Sequence, residues 1–265
     1  MREFNDANDL HFINNELNNV YKWLISYKIA LNKKKTNFMV ISHNKNIMLP
    51  IIKMGENLIE ETDIIKFLGI NIDNNLTFKN HINIISVKIA KSVGLLFKLN
   101  KFLPPNILKL IYTALIHPYL TYGIEAWYGT FKNNTNKIFV LQKKAVRAIN
   151  NLEYNSHTND YFKLDNMLKL DEQYKMQTSL YIYKLLNLNA DAELLSKIKT
   201  NSDIHSHSTR KKNDINIPRI NRARSKFSIF HNGSKIWNSL PDKIRTIDSL
   251  YKFKKNVKSH YLEQY

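Results

Sequence analysis

The spacing of the apolar residues changes at Asp73, and this change most constrains how the chain can fold. Before Asp73, apolar residues form short runs interrupted at Gly55 and Gly69, which is typical of short strands joined by turns. After it, they recur every three or four residues, as on one face of a helix, at Ile82, Ile85, Ile89, Val93 and Leu96. We therefore predict an α+β protein that is predominantly helical, with one small sheet within residues 30–72.

Individual elements follow from the same patterns. Apolar runs predict strands at 38–41, 51–54, 57–59 and 64–68, the first with the length of a buried strand. Helical spacing predicts helices at 8–27, 78–101, 137–150, 159–168 and 171–187. The first helix should turn its asparagines outward: Asn14, Asn15, Asn18 and Asn19. Polar, basic and weakly periodic residues over 200–226 indicate a mostly irregular connector.

Particular residues also indicate where helices begin and end. Thr77 is suited to cap the helix at 78–101. Pro105 fits the first turn of a further helix, and Pro118 should end or kink it. Leu250, Phe253, Val257 and Tyr261 predict a terminal helix, with three lysines turned away from the core: Lys252, Lys255 and Lys258.

The composition limits the possible functions. The 40 Lys and Arg outnumber the 22 Asp and Glu, giving a net charge of +18, which favours nucleic-acid partners. The excess of Lys and Asn is also what an AT-rich genome produces, so a solvated surface of skewed composition is the alternative. The absence of Cys excludes disulfide scaffolds and cysteine-held metals. No apolar run approaches the roughly 20 residues that span a bilayer, so we expect no membrane partner.

One helical face could track a nucleic-acid backbone. At 100° per residue, Lys88, Lys91, Lys98 and Lys101 gather opposite the apolar face of the helix at 78–101. We call these four residues the lysine stripe. Such a surface binds phosphates by releasing counterions, so its affinity falls with salt. The alternative is the ordinary outer face of an amphipathic helix.

Other candidate residues each have a plainer interpretation. Lys33–Lys35 could face phosphate oxygens or form a solvated turn. Tyr122, Gly123, Trp127 and Tyr128 could form a base-stacking platform or belong to the core. His205 and His207 have the spacing of two metal ligands on a strand, but nearby acids are scarce and no metal site is expected. The chain also lacks an Asp-Asp pair, although polymerase chemistry with two metals needs converging carboxylates.

Several motifs together resemble the reverse transcriptases of non-LTR retrotransposons, the jockey-like and related LINE elements. The segment 13–42 matches a W…LN-x-x-KT-x-x-M pattern with Trp23, Leu31, Asn32, Lys35, Thr36 and Met39. A K-[FY]-L-G-[VI] strand and the helix start that follows it are matched by 66–70, Asp73, 76–78, His81 and Ile82. Further matches, in the family's order, are Leu115, Ile116, Pro118, Leu120, Tyr122, Gly123, Trp127, 141–147, Thr209, Arg210, Gly233, 236–241, Phe253 and Lys254.

The resemblance implies a domain organisation. Residues 1–72 would be the C-terminal remnant of the palm, 73–150 the helical thumb and 151–199 its helical continuation. The basic connector, 200–226, would lead into a C-terminal helical extension at 227–265. The fold expected is thus a small palm-remnant sheet followed by a helical thumb and extension.

The resemblance also implies roles for particular residues. Lys35 would approach the incoming triphosphate and act as general acid on the leaving pyrophosphate. Phe67, Leu68 and Gly69 would form the primer grip. Seven basic residues would follow the backbone of an RNA or DNA template–primer: Lys88, Lys91, Lys98, Lys101, Lys143, Lys144 and Arg147.

One departure changes the expected function. The family's catalytic [FY]-x-D-D would lie upstream of Met1, with the fingers and most of the palm. Mg²⁺ serves the intact parent enzyme, and phosphoryl transfer depends on such metals, so we expect this chain to hold no cofactor and not to polymerise by itself. Its residual role would be sequence-independent binding of template–primer, with the upstream part of the polymerase as a further partner. A non-enzymatic helical interaction protein, or a decayed element without function, is the alternative.

Overall fold

A computed structural model describes residues 7–42, 51–130, 132–188, 190–204, 211–220 and 224–265. The chain divides into two compact units, Met1–His81 and Ile82–Tyr265. Within the described residues the fold is α+β and mainly helical, as the change of spacing at Asp73 predicts. No helix in those residues has the length and apolarity needed to cross a membrane.

In its described residues, the first unit contains one long helix and three pairs of short strands. Helix α1 spans Ala7–Ser26, and Lys33–Lys35 form a single 3₁₀ turn. The strands are β1 Asn37–Phe38, β2 Lys53–Met54, β3 Asn57–Leu58, β4 Glu60–Glu61, β5 Ile64–Phe67 and β6 Ile70–Asp73. Strand β1 pairs with β4 in parallel, whereas β2–β3 and β5–β6 are antiparallel hairpins.

The single small sheet predicted for 30–72 is therefore wrong in detail. The described strands form three two-stranded sheets of strands two to four residues long: β2–β3 and β5–β6 are local hairpins, whereas β1 pairs with β4 across the β2–β3 hairpin. The buried strand predicted at 38–41 is reduced to Asn37–Phe38, and Phe38 is only half-buried.

Side chains of α1 hold the β2 backbone in place. Asn14 bonds the Ile51 carbonyl and the Lys53 amide at 3.2 and 3.0 Å, and Asn18 accepts from the Gly55 amide at 3.0 Å. The prediction that these two asparagines face outward is thus wrong, since their amides replace strand partners for the β2 backbone. Asn15 and Asn19 are exposed, as predicted.

The second unit is a helical assembly. Helix α2, Lys79–Leu99, starts in the first unit and continues into the second, followed by α3 Pro105–Leu115, α4 His117–Thr121, α5 Ile124–Trp127 and α6 Lys132–Ile149. Next come α7 Asn159–Leu164, α8 Leu170–Leu188, α9 Ala192–Ser196 and α10 Asn201–Ile204. The last three are α11 Ser234–Ser239, α12 Asp242–Arg245 and α13 Leu250–Leu262.

Helix α8 lies at the centre of this unit. It packs against α4, α5, α6, α11 and α13, so buried residues occur around most of its circumference. Tyr183 stacks on Phe253 with ring centroids 4.3 Å apart, and Trp237 packs on the same phenylalanine. Gln142 is almost fully buried and donates to the Tyr112 hydroxyl and the Leu168 carbonyl, at 3.1 and 2.9 Å.

The described part of 200–226 is irregular apart from α10, a 3₁₀ turn that begins at Arg224, and a bridge between Thr200 and Ile215. It nevertheless docks on the core. Ile215 is buried, and the Asn238 amide bonds both its N–H and its C=O, at 3.0 and 2.8 Å. This pairing gives a structural reason for the asparagine in Trp237–Asn238.

Helix ends deviate from prediction where the local geometry is not visible in apolar spacing. Helix α6 begins at Lys132 rather than 137. Helix α7 ends at Leu164 rather than 168, because Asn166 adopts a positive φ of 55° and the Met167 amide bonds back to Phe162. Pro105 lies in the first turn of α3, as predicted. Helix α3 ends at Leu115, shortly before Pro118, which was predicted to end or kink it, and Pro118 itself lies in the first turn of α4.

Candidate nucleic-acid interface

Lys35 lies in the 3₁₀ turn after α1. All three side chains of Lys33–Lys35 are exposed, and the turn contains no acidic residue. The Lys35 amide donates to the Asn32 carbonyl at 3.0 Å, and the Thr36 hydroxyl donates to the same carbonyl at 2.9 Å. The Lys35 ammonium is therefore accessible to a phosphate, and hydrogen bonds hold the protein backbone that carries it. Its role as a general acid stays a prediction.

Phe67, Leu68 and Gly69 form the tip of the β5–β6 hairpin. Phe67 pairs with Ile70, leaving Leu68 and Gly69 as a two-residue turn with φ of 45° and 85°. Two positive φ values define the type I′ turn, which favours glycine at one of these positions. Phe67 and Leu68 are 61% and 73% exposed, so the tip presents apolar side chains to solvent. Contact with a primer stays a prediction.

The last residue of this hairpin organises the start of α2. The Asp73 carboxylate accepts from the amides of Asn75, Thr77 and Phe78 at 3.2, 3.0 and 2.6 Å. The Thr77 hydroxyl accepts from the Lys79 amide at 3.3 Å, so Thr77 contributes to the cap as predicted. The motif Asp73…Leu-Thr-Phe is thus a helix-start structure in which the carboxylate satisfies backbone donors.

The lysine stripe lies on the outer side of α2 and in the turn after it. All four lysines are exposed, whereas Ile82, Ile89 and Leu96 on the opposite face are fully buried. Helix α2 contains no acidic residue, so no carboxylate of its own offsets these charges. Lys88 lies over the Tyr119 ring at 5.4 Å, which directs it toward α4. The four lysines are exposed and the five predicted apolar residues are buried, as predicted, but Val87 and Leu95 are exposed beside the lysines.

All three predicted cations of α6 contact other groups of the protein, as Lys88 of the stripe contacts Tyr119. The ammonium groups of Lys143 and Lys144 lie over the rings of Phe139 and Tyr154, at 5.0 and 5.8 Å. Arg147 donates through Nε to the Ser156 carbonyl at 3.0 Å. All three are half-buried. They contribute positive charge, but part of their binding capacity is used within the protein.

Two side-chain contacts place α6 alongside α2. Lys137 donates to Asn83 near the start of α2, and Asn100 bonds Asn151 just beyond the ends of the two helices, at 3.5 Å. The two groups of predicted cations therefore lie on neighbouring helices of one unit. Lys35 and the hairpin tip belong to the other unit.

A third group of cations was not predicted. Lys258 of α13 is half-buried rather than turned away, and the pKa of its ammonium is lowered by burial and by the charges of Lys109 and Lys254. Burial, together with the charges of Lys258 and Lys254, also lowers the pKa of His117 below 6.5, although a hydrogen bond with Gln173 opposes this. No sequence signal shows this convergence, because it depends on how α3, α4 and α13 pack.

The proposed stacking platform divides between core and surface. Trp127 is fully buried and its indole donates to the Tyr122 carbonyl at 3.0 Å, so this residue belongs to the core. Tyr122 is 58% exposed. Tyr128 is half-buried, and its ring lies 4.8 Å from that of Tyr174. The four residues therefore do not form one platform.

Within the described ranges, no three His, Asp or Glu residues are grouped so that they could hold a metal ion. The pair His205 and His207, and the motif residues Thr209 and Arg210, lie outside those ranges.

Comparison with known proteins gives three informative relatives. The RNA-directed DNA polymerase from mobile element jockey of Drosophila melanogaster is 27% identical over 168 residues, which is 62% of this chain and 18% of that protein. The jockey polymerase of Drosophila funebris is 29% identical over 143 residues, or 52% of this chain and 15% of that protein. The probable RNA-directed DNA polymerase from transposon BS of Drosophila melanogaster is 28% identical over 131 residues, which is 48% of this chain and 14% of that protein.

Over about half its length, the chain is therefore a relative of reverse transcriptases. Those relatives are the polymerases of non-LTR retrotransposons of the jockey, BS and X-element type, so the resemblance seen in the motifs is confirmed. The chain spans less than a fifth of the length of the relatives it matches. No family model matches the chain, and no solved structure matches it.

Proposed function

We propose that the helical unit binds the sugar–phosphate backbone of a template–primer without sequence preference, as the thumb of a reverse transcriptase. The single observation that supports this most is the lysine stripe: four exposed lysines on and just after a helix without an acidic residue. Lysines that contact phosphates release condensed counterions, which gives affinity without base recognition. The names of the relatives supply the class of substrate.

We also propose that this chain by itself binds nucleic acid and does not catalyse polymerisation. Its 265 residues contain no Asp-Asp pair. Phosphoryl transfer needs carboxylates that hold Mg²⁺ on the phosphates. We therefore expect no nucleotide incorporation by this chain alone, and we expect Lys35 and the hairpin tip to serve chemistry only together with carboxylates from elsewhere.

The test compares two charge reversals of equal size. One variant carries Glu at the lysine stripe, and the control carries Glu at four other exposed lysines of the same unit: Lys163, Lys184, Lys243 and Lys252. Each Lys→Glu change removes two charges, so both variants fall from +18 to +10. Fluorescence anisotropy with a labelled primer–template duplex gives the affinity, and circular dichroism confirms that both variants are folded.

The stripe variant should lose nearly all binding at about 50 mM salt, and the control should keep most of it. Each lost phosphate contact should also reduce the slope of log affinity against log salt by about 0.9 for duplex DNA. Equal losses in the two variants, or a wild-type affinity that is insensitive to salt, would refute the assignment. Template-dependent incorporation of nucleotides by the purified chain, abolished by Lys35→Ala, would refute the claim that it does not polymerise.

A second candidate function is supported by apolar residues beside the stripe. Val87 and Leu95 on α2 are 57% and 39% exposed, and Phe102 and Leu110 are 80% and 65% exposed. Exposed apolar groups that lie close together commonly mark protein interfaces. The partner would be another part of the polymerase, and the chain would be a non-enzymatic interaction module. In that case, reversing the stripe charges would change nucleic-acid binding little, whereas Val87→Ser with Leu95→Ser would weaken association with a polymerase fragment.

A further inference from the structure

A second basic surface lies apart from the stripe, in a cavity of about 320 Å³. Its walls come from the residues that follow α5, the start of α6, the first turns of α8 and the segment 226–236. The cavity thus forms only when elements far apart in sequence pack together. Its volume lies within the range of about 300–1,000 Å³ typical of ligand sites.

Positive charge dominates this cavity. Lys132, Lys175, Lys226 and Lys235 line it, with Asp171 as the single carboxylate among the described lining residues. Asp171 is already engaged, since its oxygens contact Lys175 at 2.5 Å and the Tyr128 hydroxyl at 3.1 Å. Among the residues that the structure describes, no carboxylate lies within ion-pair distance of the other three lysines. An anionic ligand would therefore meet four lysines and one carboxylate, which is already paired with Lys175.

Aromatic rings form part of the same wall. The rings of Tyr128 and Tyr174 lie 4.8 Å apart with planes inclined by 35°, and Phe227, 38% exposed, faces the same cavity. The Tyr174 hydroxyl accepts from the Asn232 amide at 2.9 Å, which fixes the ring. Rings held in this way, beside lysines, suit a ligand that has both a flat base and a phosphate.

We infer that this cavity holds one nucleotide of a single nucleic-acid strand, with the base against Phe227 and the half-buried Tyr128, since Tyr174 behind it is only 5% exposed, and the phosphate toward Lys226 and Lys235. A single strand is required because a base within a duplex has both faces covered by its neighbours. The inference rests on the proposed function, because it adds a single-strand site to the duplex-binding stripe.

The neighbouring cavity helps to define the path of the strand. It measures about 530 Å³ and shares Tyr128, Lys132, Thr135 and Asp171 with the first, but Glu172 also lines it. A second carboxylate makes that side less favourable for phosphates. The strand should therefore leave the site on the side of Lys226 and Lys235.

The test uses a single-stranded oligonucleotide of about 12 residues, within the site sizes known for such proteins. It carries 5-iodouracil for photo-cross-linking and a fluorophore for anisotropy. The cavity variant is Lys226→Gln with Lys235→Gln, and the matched control is Lys243→Gln with Lys252→Gln. All four lysines are exposed, so both variants should fold. Phe227→Leu removes an aromatic face while keeping an apolar side chain.

Wild type should cross-link at Phe227 or Tyr128. The cavity variant should lose this cross-link, with the slope of log affinity against log salt reduced by about 1.4 for two single-strand phosphate contacts. Phe227→Leu should lower single-strand affinity about five- to 150-fold if the base stacks on that ring. The lysine control should match wild type. If the cavity variant keeps the cross-link and the wild-type salt slope, and Phe227→Leu keeps the wild-type affinity, the inference is overturned, whatever happens at the stripe.

Three further outcomes separate the proposals. Cross-links confined to α2, with unchanged affinity in the cavity variant, would overturn the cavity site while leaving the stripe intact. Absence of all duplex and single-strand binding in wild type would overturn the proposed function itself. Protection of the cross-link by free mononucleotides at the concentrations effective for the strand would identify a site for free nucleotides and overturn the strand assignment.

Discussion

Arg245 and Asp214 form an ion pair that connects α12 to the irregular segment before the last helices. The Nη1–Oδ1 distance is 2.8 Å, and the two side chains are only 14% and 13% exposed. Arg245 also bonds Asp242, whose side chain is 86% exposed. One guanidinium therefore makes a mostly buried ion pair and a solvated ion pair.

This arrangement predicts unequal effects of removing the two acids. Asp214→Ala should lower the free energy of unfolding by about 3 kcal/mol, because it removes the buried carboxylate from a mostly buried guanidinium, which then keeps only the solvated Asp242. Asp242→Ala should cost less than about 1 kcal/mol, because exposed ion pairs contribute little. Urea denaturation followed by circular dichroism measures both. Similar losses in the two variants would show that burial does not distinguish the pairs.

The sequence predicted the longer helices α2, α3, α6, α8 and α13 of the second unit from the spacing of their apolar residues, but it did not predict short helices such as α4, α5 and α9. All five apolar residues predicted for one face of α2 are buried, from Ile82 to Leu96. The Arg245–Asp214 pair could not be predicted in this way. It joins residues 31 apart in sequence through a segment without periodicity.

The candidate site was predictable to a similar extent. Exposure of the lysine stripe follows from helical geometry alone. The contacts that occupy Lys143 and Lys144, and the meeting of Lys109 with Lys258, depend on packing between helices and leave no local signal. The same holds for Asn14, which bonds β2 because that strand lies against α1.

Gly55 and Gly94 provide a matched pair of glycines with opposite expected effects. A Cβ at Gly55 would lie 2.2 Å from the Tyr21 ring, and its φ is +60°. Gly55→Ala should therefore destabilise the first unit by more than about 1 kcal/mol. Gly94 lies within α2 with open space around it, so Gly94→Ala should stabilise by about 0.5–1 kcal/mol. Thermal unfolding of both variants checks the signs, and a stabilising Gly55→Ala would contradict the contact with Tyr21.

His117 should make stability depend on pH. Burial, with smaller effects from Lys258 and Lys254, lowers its pKa below 6.5 in the folded state. As pH falls, His117 therefore takes up a proton in the unfolded chain before it does so in the folded chain. The contribution of neutral His117 to the free energy of unfolding is complete above pH 6.5 and is lost progressively below it. Denaturation at a series of pH values should show this loss in wild type but not in His117→Gln. An identical pH dependence in both proteins would exclude His117 as its source.

The stripe and the α6 cations should respond differently when charge is removed without being reversed. Lys91→Gln with Lys98→Gln removes two exposed ammonium groups from α2. The slope of log duplex affinity against log salt should therefore fall in magnitude by about 0.9 per lost phosphate contact, with little change in stability. Lys143→Gln with Lys144→Gln removes ammonium groups that lie over Phe139 and Tyr154, so it should cost about 0.5–1 kcal/mol of stability per contact and affect binding less. Anisotropy titrations at several salt concentrations, paired with urea denaturation, measure both quantities. A larger binding loss in the α6 variant would place the nucleic acid on α6 instead of α2.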